Sequence, residues 1–197
     1  LLSQSDVGWI FIIYTVLAFL NVLYTHGMNA ALFKFFHSSD RKEIITTSVL
    51  YSVVYGIVLS GLLLIVYALY AALTSHQPEY LLVILILLVA VLDMVSSRNN
   101  VVLRLLERPY YYLSVCFVNV MLSIILNVYF IQFCGLGLWG AIIALLCVSL
   151  IQFLLLAPII IRSCKFVLFN KSLLKQMLRF SFSFFPAAVF FVLIEMS

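Results

Sequence analysis

The stretch RNNVVLRLLERPYYYLSVCFVNVMLSIILNVYFIQFCGL, Arg98 to Leu136, carries the pattern that decides the fold. It opens with Arg98, Arg104 and Arg108, continues through an apolar segment from Pro109 to Ile131, and ends in a polar break, Gln132 to Leu136, without Lys or Arg. About 20 apolar residues rising ~1.5 Å each cover the hydrocarbon core of a bilayer. The same alternation extends in both directions. Of the 11 basic residues, Lys34, Arg41 and Lys42 share one break, and Arg162, Lys165, Lys171, Lys175 and Arg179 share another. The break from Thr74 to Glu79 has none. Lys and Arg are retained on the cytoplasmic side, so the pattern orients every span at once. Residues such as His37 and Asn170 are expected inside, and His76 and Cys134 outside.

Composition agrees with an all-α integral membrane protein, a polytopic helix bundle. With 66% hydrophobic and 9% charged residues, the chain cannot wrap its apolar surface inside a soluble core. The expected spans are Gly8–Phe33, Ile45–Ala72, Tyr80–Ser97, Pro109–Ile131, Gly137–Ile161 and Met177–Ser197, about six in all. Trp9, Tyr67, Tyr70, Tyr80, Tyr129 and Trp139 fall near outer ends, and Tyr110, Tyr111 and Tyr112 near an inner one, as interfacial aromatics do. The net charge of +4 then reports topology and contact with anionic lipid, and no nucleic-acid partner is expected. The chain begins at Leu1 without the charged n-region of a signal peptide and stops at Ser197 within an apolar run. An internal piece of a larger transporter-like protein is the expectation.

Local signals mark helix starts. Asp40 precedes Glu43 by three residues, a capping pattern, and Pro109 suits a first helical turn, where its missing N–H is not needed. Asn170 is placed to cap a short amphipathic helix, with Lys171, Lys175 and Arg179 on one face and Leu173, Leu174, Met177 and Leu178 opposite. That helix is expected on the inner membrane surface, leading into a last span kinked at Pro186. Gly135, Gly137 and Gly140 spell GxGxxG, yet no strand precedes them, so they read as a tight turn with close helix approach. Asn170-Lys171-Ser172 matches a glycosylation acceptor on the wrong side of the membrane. Cys116, Cys134, Cys147 and Cys164 form neither a CxxC pair nor a Cys/His cluster, so no metal site or disulfide framework is expected.

Polar residues inside spans are costly and tend to face the bundle interior or a water-filled cavity. Asn21, Thr25 and Asn29 recur at i, i+4, i+8, as do Asn119, Ser123 and Asn127. Asp93, Ser96, Ser97, Asn100 and Arg104 form a third stripe. Each residue alone reads more readily as a hydrogen bond between helices, but three such stripes together point to a shared hydrated cavity. Ser52, Gly56 and Ser60 instead read as a packing face. Asp93 either pairs with a cation such as Arg98, binds a coupling ion or proton, or lines the cavity. Lys34 and Arg98, with Arg104, form a cationic inner rim suited to a phosphate. Glu195 is the other acidic residue within a span.

Three segments carry a family resemblance. YTHGMNAALFKFF (Tyr24–Phe36) resembles the second-to-third helix region of bacterial polysaccharide-biosynthesis flippases, of the multidrug/oligosaccharidyl-lipid/polysaccharide exporter superfamily. LLERPYYYLSVCFVNVMLSIILNVYFIQFCGLGLWGAII (Leu105–Ile143) is similar to their fifth and sixth helices. LLKQMLRFSFSFFPAAVF (Leu173–Phe190) is similar to the start of their seventh, although Ser183 stands where many relatives have a further proline. The resemblance implies helices two to seven of a two-lobe bundle of about twelve to fourteen. Residues 1–161 would belong to the N-terminal lobe, 162–176 to an amphipathic inter-lobe segment, and 177–197 to the start of the second lobe. It implies a transporter, not an enzyme, in the bacterial inner membrane. The cargo would be undecaprenyl-pyrophosphate-linked oligosaccharide, flipped from the cytoplasmic to the outer leaflet. Partners would be the lipid bilayer, that substrate and other polysaccharide-assembly membrane proteins. No cofactor is implied, and a coupling proton or sodium ion stays open. Arg104 would meet the pyrophosphate. The alternatives are a cation-coupled multidrug exporter of the same superfamily and a membrane-embedded polymerase or ligase.

Overall fold

A computed structural model describes residues 4–36, 40–74, 79–163 and 169–195. His37, His76, Cys164, Lys165 and Ser197 lie outside the described residues, as do the side chains of Arg162 and Glu195. Seven helices follow one another: α1 (Gln4–Thr25), α2 (Met28–Phe35), α3 (Arg41–Thr74), α4 (Tyr80–Leu105), α5 (Pro109–Val128), α6 (Gly137–Ser163) and α7 (Lys171–Glu195). No strand occurs among the described residues. Among the described residues, five segments are long and apolar enough to cross a membrane: Asp6–Phe35, Arg41–Thr74, Tyr80–Leu105, Pro109–Phe133 and Gly137–Ile161. The sixth expected span falls on α7, which is not among the five.

The starts follow the local chemistry. Asn170 Oδ1 accepts from the backbone N–H groups of Ser172 (2.8 Å) and Leu173 (3.2 Å), capping α7. Asp40 Oδ1 accepts from Lys42 N at 3.2 Å, but Glu43 does not complete a capping box. Its carboxylate accepts from Asn170 Nδ2 at 2.7 Å, tying the start of α3 to the start of α7. Pro109 occupies the first turn of α5. The glycine turn is as tight as its composition implies: Gly135 and Gly137 have φ of 65° and 53°. At Gly140 a Cβ would meet the Phe130 carbonyl oxygen at 2.9 Å, so α6 begins in close contact with the π-helical turn Tyr129–Phe133 that ends α5.

Two expectations about continuity need correction. The first span is broken. Residues His26 and Gly27 leave helical geometry, with φ of 32° and 75°, and separate α1 from α2. The apolar stripe of the first turns of α7 packs on protein where it was expected to face lipid. Leu173 and Met177 are buried in one core with Met28, Leu32, Phe36, Ile44, Val101 and Val102, while Lys171, Lys175 and Arg179 stay exposed. The apolar stripe was read correctly as a stripe. Protein covers it because α2 and the start of α3 present an apolar surface of their own.

The same core, with the Glu43–Asn170 contact, gathers the three basic breaks at one end of the bundle. Deeper in, Gly56 sits against Met94 so closely that a Cβ would lie 2.8 Å from its methyl carbon. The small residues of α3 therefore let α4 approach, and Ser60 additionally pairs with the Tyr24 hydroxyl at 2.6 Å.

Candidate functional site

Helix α4 runs unbroken from Tyr80 to Leu105, so its 3.6-residue period holds throughout and keeps Asp93, Ser97, Asn100 and Arg104 in one row. That row forms one wall of a polar cavity of about 550 Å³. Asn21 of α1, Asn119 and Ser123 of α5, and Ser149 and Gln152 of α6 line the rest, with Tyr112 beside Arg104. The volume lies within the ~300–1,000 Å³ common for small-molecule sites. Its lining is more polar than is usual for such sites: amides and hydroxyls share the wall with Val120, Ile124, Leu145 and Val148.

Two of the amide oxygens, Asn100 Oδ1 and Asn119 Oδ1, are buried without a hydrogen-bond partner among the described residues. Buried polar atoms are nearly always satisfied, so these two oxygens call for a water or a small turn of the side chain to give them a partner. Asp93 accepts from Ser149 Oγ at 2.6 Å. Arg104 is exposed, and its guanidinium carbon stands 5.3 Å from the Phe33 ring and 5.4 Å from the Tyr112 ring. Both rings are within cation–π reach of the guanidinium.

Not every expected residue joins this cavity. Thr25 turns its hydroxyl onto the Asn21 carbonyl at 2.7 Å, and Asn127 donates to the Ser123 carbonyl at 2.8 Å. Neither lines the cavity, nor does Asn29. The break at His26 and Gly27 ended the register that extrapolated Asn29 from Asn21. Lys34 is exposed with its ammonium 3.9 Å from the Phe180 ring of α7, and it too is outside the lining.

Arg98 departs furthest from expectation. It is not at a rim and does not pair with Asp93. It is fully buried, with Nε donating to Ser52 Oγ (2.9 Å), Nη1 to Asn29 Oδ1 (2.7 Å) and Nη2 to the Thr25 carbonyl (3.0 Å). Asn29 in turn donates to Ser97 Oγ at 3.0 Å. Counting Arg98 among the basic residues of a break assumed that α4 ended at Ser97, whereas the helix continues two turns further. Tyr112, Ser149 and Gln152 were missed. Ser149 and Gln152 stand at i, i+3 within the apolar run of α6, and two polar residues alone make a faint stripe.

A model of polysaccharide biosynthesis proteins matches the chain over residues 1–197. The chain belongs to the polysaccharide biosynthesis protein family. One solved structure, described as the inward-facing conformation of a multidrug resistance MATE family transporter of the MOP superfamily, superposes with a TM-score of 0.63 at 19% identity. The match covers 93% of this chain and 47% of that one, so the chain spans about half the length of the transporter it resembles. No curated protein matches. This family member is a multi-pass membrane protein whose fold matches about half of that structure's.

Proposed function

We propose that this family member flips undecaprenyl-pyrophosphate-linked oligosaccharide from the cytoplasmic to the outer leaflet by alternating access, for surface polysaccharide biosynthesis. The observation that carries the reading is the cavity: an amide- and hydroxyl-lined space inside an apolar bundle, with one supported arginine at its basic end. A sugar and a pyrophosphate cannot enter hydrocarbon unaided, whereas a polyprenyl tail stays in lipid. Such a cargo needs a polar path with hydrogen-bond acceptors for hydroxyls and a cation for phosphate. Asn100 and Asn119 supply the first. Arg104 supplies the second. On α4, Asp93 and Arg104 are 11 positions apart, about 16 Å along the axis, so phosphate and glycan would be held at separate depths.

In cells lacking this protein, lipid-linked oligosaccharide should accumulate on the inner leaflet and surface polysaccharide should disappear, and expression of the full-length protein should clear the first and restore the second. Undiminished surface polysaccharide would reject the reading. Asp93 in the cavity favours the second reading, a cation-coupled multidrug exporter; then loss of the protein would raise drug susceptibility instead.

Accessibility gives a separate check. Asn100→Cys and Asn119→Cys in the full-length protein should react with small polar thiol reagents, and Val95→Cys and Val101→Cys, which are buried against other helices, should not. Equal protection of all four would mean that the cavity is closed to water. In intact cells an impermeant thiol reagent should label Cys134, which is exposed, and spare Asn170→Cys. The reverse labelling would invert the orientation.

A further inference from the structure

The break between α1 and α2 exposes the last carbonyls of α1 within a membrane-spanning segment, where unsatisfied backbone is expensive. Each is met by a side chain. The Tyr55 hydroxyl donates to the Leu23 carbonyl at 3.2 Å, and His26 Nδ1 to the Tyr24 carbonyl at 3.0 Å. Arg98 takes the Thr25 carbonyl, and Ser181 of α7 the His26 carbonyl. Among these donors only Arg98 is a permanent cation, and it sits at the negative end of a helix dipole. Its other described partners, the Asn29 amide oxygen and the Ser52 hydroxyl, are neutral. A guanidinium buried among neutral oxygens must draw its compensation from their dipoles and from that helix end.

A backbone carbonyl at a half-helix C-terminus, a side-chain amide oxygen and a hydroxyl oxygen are the ligands with which discontinuous membrane helices coordinate alkali cations. We propose that Arg98 is a tethered cation: its guanidinium fills a cation site built from the Thr25 carbonyl, Asn29 Oδ1 and Ser52 Oγ at the broken end of α1. It acts as a positioning residue. Through Asn29 and Ser97 it holds the wall of the cavity, and through Thr25 it holds the break, so this part of the fold assembles without a bound ion. The site is separate from the cavity's cargo, and its test does not depend on what is transported.

The experiment is thermal melting of the purified full-length protein in lipid nanodiscs. Arg98→Ala should melt below wild type, and guanidinium at millimolar concentration should raise its melting temperature saturably, by about 2–4 °C or more, by refilling the site. Wild type, whose site is occupied, should show no rise. Arg98→Lys should remain folded and melt between wild type and Arg98→Met, which has a similar length without charge. If Arg98→Ala yields no folded protein, the Lys and Met variants decide: only the charged one should assemble. Absence of any guanidinium response in folded Arg98→Ala, or an Arg98→Met variant as stable as Arg98→Lys, would overturn the proposal.

Discussion

Arg104→Ala is expected to cut export of surface polysaccharide about ten- to hundredfold while leaving protein level and membrane topology intact. The magnitude follows from removing a charge-assisted hydrogen bond of about 1.5–3 kcal/mol, where each ~1.4 kcal/mol is tenfold. The side chain is exposed and lines the cavity, so its removal leaves no buried orphan. Arg104→Lys should retain part of the activity, since a point charge still attracts phosphate but loses the bidentate fork and part of the contact with Phe33 and Tyr112. Arg108 is also exposed but outside the cavity lining, and Arg108→Ala should have a smaller effect. Surface polysaccharide quantified against protein level checks all three. Normal export by Arg104→Ala at wild-type expression would return this residue to topology alone.

Gly27→Ala should damage folding as much as Arg104→Ala damages transport. Gly27 has φ of 75°, a conformation that costs an L-residue about 1–2 kcal/mol. An added Cβ would also lie 2.6 Å from the Ser181 carbonyl oxygen and 3.1 Å from Phe184 Cβ. Overpacking of this kind typically costs about 1–3 kcal/mol more. Backbone stands in the way, so no side-chain rotation relieves it. A lower melting temperature and reduced yield of the full-length variant are expected, and Gly61→Ala, where a Cβ meets nothing within 4 Å, is the control. A Gly27→Ala protein as stable as that control would mean that α1 and α7 are not docked at this point.

These two residues mark what the sequence could and could not disclose. Arg104 was legible because α4 is uninterrupted, and an unbroken helix lets spacing alone assign a face. Asp93, Ser97 and Asn100 were legible for the same reason. On α1 the same arithmetic failed at one step. His26 and Gly27 stop the helix, so Asn21 lines the cavity while Asn29, eight residues on, holds Arg98. The break was not anticipated, because the apolar residues on either side of His26 and Gly27 read as one continuous span. Arg98 was misread because a charge count treats every arginine near a span's end as solvated. Its burial depends on three partners far away in sequence, which periodicity does not report.

The order of those partners along the chain has a consequence for biogenesis. A charge near the middle of a span adds about 2.5–3.5 kcal/mol to its insertion, and α4 bears both Asp93 and Arg98. Thr25, Asn29 and Ser52 all precede Arg98, so when α4 leaves the ribosome the groups that accommodate its guanidinium already reside in the bilayer. Ser149, the partner of Asp93, is synthesised 56 residues later. Helix α4 therefore enters the membrane with its arginine provided for and its aspartate not, and it becomes a settled member of the bundle only when α6 arrives.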